Sequence, residues 1–220
     1  MCDALVWSFD AITDINWLEL IKTLAPVATA VIAFSALRNW QRQDKAKREA
    51  EFLDALIEAT HSYIAEMPKP IALLEMSKIG MASHVQSWGS GDHSDKAING
   101  AIAYIKKYGD QDAKRLLDAL EAVRPSGTKL RSLAAKGQVF KFRSYADCQN
   151  AVKVLTWQVD RLEAFAGVLG SSTWNWENAE VREHLKNVMA IDPNEIRESV
   201  RDNNVTTIAF ARDTYNRIYG

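Results

Sequence analysis

The chain has 220 residues, of which 47% are hydrophobic and 25% charged, and its net charge is -1. These values fit a folded chain with room for a substantial core and exclude a largely disordered one. Its two cysteines, Cys2 and Cys148, form no CxxC pair. That suggests neither a zinc site nor a disulfide framework and suits a reducing compartment.

Residues 1–16 include "ALVWSFDAITDI", which reads as a short external or interfacial segment. A transmembrane helix is expected over 17–40. The run Thr23–Leu37 carries no charge, and Trp17 and Trp40 bracket it. At about 1.5 Å rise per residue the two rings stand roughly 34 Å apart, one near each headgroup layer. Taken alone, the uncharged run is also short enough for a buried core helix. A cleaved signal peptide is the third reading, but it calls for basic residues at the start, where Asp3, Asp10 and Asp14 stand instead. Arg38, Arg42, Lys45, Lys47 and Arg48 follow the run, while no Lys or Arg precedes Lys22. The positive-inside rule then places the N-terminus outside the plasma membrane and the body in the cytoplasm, as a single-pass protein.

No Pro or Gly occurs between Trp40 and Pro68. Residues 41–67 therefore read as a helix continuing from the span, basic at first and heptad-like afterwards. Ala46, Ala50, Leu53, Ile57, Thr60, Ile64 and Met67 form a seam, which Phe52, Leu56 and Tyr63 widen. Such a stripe serves either self-association or packing on the chain's own later helices. In the span, Ala25, Thr29 and Ala33 recur at four-residue steps, a spacing that favours helix association in lipid. A homo-oligomer is expected.

Residues 68–220 read as an all-α cytosolic domain, a helical bundle, because no sustained alternation argues for strands. Helices are expected at 71–87, 95–107, 111–123, 127–136, 145–169, 175–190 and 194–218. The stretch "GSGDHSD" at 89–95 reads as a linker. Ser144 with Asp147, and Asp192 with Pro193 and Glu195, match helix-start patterns, and Asp110 is expected to cap a helix.

Motifs for catalysis are missing: there is no GxxxxGK[ST], GxSxG, HExxH or GxGxxG. The sequence argues against an enzyme, offers no catalytic residues, and implies neither a cofactor nor a metal. Asp110, Asp112 and Glu121 fit three calcium-loop positions, but Lys114 and Arg115 stand where a ligand and the turn glycine belong. Asp92, His93 and Asp95 lack ligand spacing of known geometry. Trp174 and Trp176 read as packing anchors.

One stretch differs in charge. Residues 122–146 contain Arg124, Lys129, Arg131, Lys136, Lys141 and Arg143 and no acid. Phe140, Phe142 and Tyr145 are interleaved, and Ser126-Gly127-Thr128 reads as a turn at a helix start. Such groups bind an anionic, nucleotide-like ligand. The same six cations also fit a solvated face or one turned toward anionic lipid.

In layout, the span "LAPVATAVIAFSAL", the basic helix "RNWQRQDKAKR" and the helical body with its basic stretch resemble small bacterial membrane effectors of anti-phage defence. The plan is similar to that of the membrane proteins that type III CRISPR systems switch on with cyclic oligoadenylate. That resemblance implies a ligand-gated oligomer that binds a nucleotide second messenger and perturbs the bilayer. A membrane-tethered scaffold holding a protein partner is the alternative.

Overall fold

The computed structural model describes residues 17–85 and 93–220. The expected segment 1–16 and most of the 89–95 linker lie outside the described residues. Seven α-helices make up the described chain: α1 Trp17–Glu66, α2 Pro68–Ser83, α3 His93–Tyr104, α4 Asp110–Gly137, α5 Tyr145–Leu169, α6 Ala179–Met189 and α7 Pro193–Tyr219. No strand occurs among the described residues, so the fold is all-α. Two compact units divide the chain, Met1–Glu49 and Ala50–Gly220.

In the first unit, α1 contains a stretch long and apolar enough to cross a membrane, and none of that stretch is buried. Val27, Val31, Ile32 and Phe34 are all exposed. The polar side chains here look inward to the backbone: Thr29 Oγ1 donates to the Ala25 carbonyl and Ser35 Oγ to that of Val31, each at 2.8 Å. Hydroxyls satisfied within their own helix need no water. Beyond the apolar stretch, Arg48 pairs with Asp44 at 2.7 Å and Lys45 with Glu49 at 3.6 Å. Such i,i+4 pairs add about 0.3–0.5 kcal/mol each to an exposed helix.

The second unit begins inside α1. Phe52, Leu53, Leu56, Ala59, Thr60, Tyr63 and Met67 are buried there, spaced by one, three or four residues as one face of a helix requires. The heptad stripe is thus used in the chain's own core. Ile57 and Ile64, further round, are only partly buried and pack against that core. Tyr63 reaches across to donate its hydroxyl to the Leu155 carbonyl, and burial pushes its pKa well up. Its ring passes the α-carbon of Gly127, where an added methyl would stand 3.8 Å away.

Helices α4 and α5 form the most extensive pair, α5 also packs on α7, and α2 packs on α3, α4 and α7. Between α3 and α4 the backbone never leaves helical angles. It passes through a π turn, Ile105–Gly109, instead of a loop. Gly109 lies against the end of α5, where a side-chain carbon would come within 2.2 Å of the Leu169 carbonyl oxygen. Tyr104, at the end of α3, packs over Gly80 of α2 and donates to Asp112. Burial first, and the Asp112 carboxylate second, push that phenol up to about 12.

Several expectations need correction. The helices expected at 111–123 and 127–136 are one, α4, with Pro125 inside it, so Ser126-Gly127-Thr128 is mid-helix and not a turn. Pro125 has no N–H to bond backwards. Packing holds the helix through it: Val123, Gly127 and Leu130 are buried on either side, and Ser126 Oγ lies 2.8 Å from both the Val123 carbonyl and the Glu66 carboxylate, sharing its one proton between them. Ser144 does not cap α5. Its φ is 59°, in the left-handed region, and its side chain makes no cap bond. Asp110 does not cap α4 either, because the π turn feeds helical backbone straight into it; Asp110 accepts from Ser172 Oγ instead. Helix α6 starts at Ala179 and not at 175, capped by Asn178, whose side chain accepts from the Glu180 N–H. Asp192 does cap α7, accepting from the Asn194 N–H at 2.9 Å.

Candidate functional site

The six basic residues of the 122–146 stretch divide into two groups. Arg124 bridges Glu121 at 2.7 Å and Glu163 at 3.0 Å, Lys129 pairs with Glu58 at 2.7 Å, and Arg131 pairs with Asp160 at 2.7 Å while donating to the Thr156 carbonyl at 3.1 Å. These three tie α4 to α1 and α5. Lys136, Lys141 and Arg143 follow at the end of α4 and in the connection to α5, exposed and with no carboxylate partner among the described residues. The structure therefore does not gather the six into one concavity. Charge runs report a field, and helix periodicity decides where each member points.

A concavity does form along the α4–α5 pair, and Arg131 is the one expected residue that lines it. The groove has a volume of about 610 Å³. Ala134 and Ala135 of α4, with Gln138 just beyond its end, form one wall, and Gln149, Asn150, Lys153 and Trp157 of α5 the other. Beyond the Arg131–Asp160 bridge it continues as a 260 Å³ hollow beside Arg124, Thr128 and Glu163. Small alanines on α4 open the space.

Trp157 is 53% exposed, unusual for so large an apolar ring. Arg161 holds it in place, with its guanidinium 4.9 Å from the ring centre, and is itself fixed by Gln158 and bidentate Glu195. The groove thus presents a propped aromatic face, neutral amide donors and acceptors, and Lys153, which has no carboxylate partner among the described residues. A planar ring can stack on the first, and an anion can pair with the last.

Sequence reading missed this face. Its signal was available: Gln149, Lys153 and Trp157 recur every four residues, opposite the buried stripe Cys148, Val152, Leu155 and Leu162. A tryptophan on the polar side of an amphipathic helix is the anomaly that marks it.

Other groups are structural. Cys148 is buried, and burial pushes its thiol up to about 12, so it is no nucleophile at neutral pH. Lys78, its pKa lowered by burial, donates to the Ile191 carbonyl at 2.6 Å beside a 390 Å³ apolar hollow. Trp176 is buried as expected, whereas Trp174 is not; the two rings lie 6.0 Å apart. Asp95 pairs with Arg182 at 3.8 Å, and no cluster of metal-ligating side chains occurs among the described residues. Comparison of the chain with protein-family models, with curated proteins and with solved structures gives no match.

Proposed function

We propose that this protein is a membrane-anchored sensor whose helical body, on the cytoplasmic side, binds an anionic, nucleotide-like ligand in the α4–α5 groove. The observation that carries the ligand is the exposed, propped ring of Trp157, which lines a 610 Å³ concavity together with Lys153 and Arg131. The anchor is supported by an apolar stretch of α1, none of which is buried, while the residues of the core cluster all lie from Phe52 onward. The five cations from Arg38 to Arg48 orient it with the N-terminus outside.

Ligand in the groove contacts α4 and α5, and Tyr63 of α1 is bonded to α5 at Leu155. Preference of the ligand for one packing of these three helices is what signalling to the span requires, since equal affinity for both shifts nothing. Self-association falls to the Ala25, Thr29 and Ala33 face of the span, because the stripe from Leu53 to Met67 is used in the core. An antiviral setting follows from the resemblance in layout alone.

Calorimetric titration of the full chain in detergent with linear and cyclic nucleotides tests the reading. Binding is expected for at least one of them, and Trp157→Ala is expected to weaken it by about 1–3 kcal/mol, the range for base–aromatic stacking. Melting should stay near that of the parent, because the ring is half exposed. If no nucleotide binds and a protein partner co-purifies, the tethered scaffold replaces the sensor.

A further inference from the structure

The three cations without carboxylate partners stand at one identifiable end of the body. Phe140 and Phe142, in the α4–α5 connection, lie 5.2 and 5.4 Å from the ring of Phe52, and Phe142 and Tyr145 pack on Phe210 at 5.7 and 5.5 Å. Phe52 is two residues into the second unit. The connection is thus clamped to the point where α1 enters the body. The end of α7 comes to the same place: Tyr215 donates to Asp54 and to the Ala50 carbonyl, and Tyr219 stacks on Tyr215 at 6.0 Å.

What this end exposes is apolar and, on balance, cationic. Lys136, Lys141 and Arg143 lack carboxylate partners among the described residues; Arg217 of α7 donates to Thr214 and to the Asp213 carbonyl and shares a hollow with Arg143, Asp147 and Asp213, so four cations stand there with two carboxylates. Among them Val139 is 79% exposed, more than any other large hydrophobic residue described in the body, and Tyr219 is 68% exposed. An exposed aliphatic side chain in a connection that also carries exposed cations, with an exposed tyrosine at the end of α7, suits an interface in which apolar tails lie beneath anionic headgroups.

We infer that this end of the body, Lys136, Val139, Lys141 and Arg143 with Arg217 and Tyr219, is a docking surface for an anionic lipid bilayer. It goes beyond the ligand reading and takes only the proposed anchor as given. Docking would bring the body down onto the headgroups instead of leaving it free on its stalk. It also accounts for the unpaired half of the basic stretch, since each such cation near a charged leaflet strengthens binding about fivefold.

The test uses the full chain with Cys2→Ser and a polarity-sensitive fluorophore on Val139→Cys, Cys148 being buried and unlabelled. It is reconstituted into bilayers of phosphatidylcholine alone or of equal parts phosphatidylserine and phosphatidylcholine, each with spin-labelled lipid as quencher. Strong quenching and a blue shift are expected in the anionic bilayer and much less in the neutral one. Changing Lys136, Lys141 and Arg143 to Gln should lower the docked-to-free ratio about fivefold per cation. A probe on Ala65→Cys, thirteen residues along α1 from Phe52, should stay unquenched in both. Equal quenching in the two bilayers, or none in either, overturns the inference. Flotation of the same samples reads the anchor separately: if the chain does not float, vesicles added to it still report on position 139, and absence of quenching there overturns docking too.

Discussion

A chain carrying Val27→Arg and Ile32→Arg is expected to leave the membrane fraction while its body melts as before. Both side chains are exposed, at 58% and 68%, and both belong to the unit that contributes nothing to the core cluster. A guanidinium at the middle of a span costs about 2.5–3.5 kcal/mol on insertion scales, so the pair removes most of the drive to insert. Flotation on a density gradient, with circular dichroism of the released protein, checks both halves. Retention of the doubly substituted chain in the membrane, or a parent that never enters it, defeats the anchor. Loss of helical content on substitution would restore the buried-helix reading of residues 23–37.

The largest effect expected within the body comes from one methyl group at Gly109. Alanine there places its side-chain carbon 2.2 Å from the Leu169 carbonyl oxygen, a backbone atom that no rotamer change can move. Either the π turn or the end of α5 must shift, and overpacking of this kind costs about 3 kcal/mol at its upper end. Gly167, two residues before Leu169 on α5 but open on its outer side, makes the control. Nothing lies within 4 Å of an added carbon there, so Gly167→Ala should stabilise the protein by about 0.5–1 kcal/mol through the lost freedom of the unfolded chain. Urea unfolding of the two variants should move in opposite directions. If both move alike, the close approach at Gly109 is not what the glycine serves.

Legibility from sequence followed the range of the force involved. The all-α class, the long α1 and the 145–169 helix were readable because they rest on hydrophobic period and on residues that favour or break helices locally. Pro125 misled for a physical reason. A proline inside a helix costs about 3 kcal/mol, a sound ground for ending one, yet Val123, Leu130 and Leu133 bury enough surface on both sides to hold the rod through it. Ser144 misled differently, since a capping motif says which bonds are available and not which backbone angle the preceding connection imposes. The groove was the least readable part. Arg131 and Trp157 are brought together by the pairing of α4 with α5; Lys129 is neutralised by Glu58, distant in the chain, and Arg124 by distant Glu163 as well as by its neighbour Glu121. No local pattern carries that information.

The π turn between α3 and α4 also makes chain length at that point a discrete variable. One π turn holds one residue more than the α turn it replaces, so removing a single residue from 105–109 would restore regular bonding through the whole rod from His93 to Gly137. Everything N-terminal to the cut would then rotate by about 100° about the rod's axis. Tyr104 would swing off Gly80 and away from Asp112, and the buried side of α3, Ile98, Ala101 and Ile102, would turn toward water. A deletion that perfects the local hydrogen bonding would therefore undo the packing around it, and related chains that keep α3 against α2 should keep the extra residue as well.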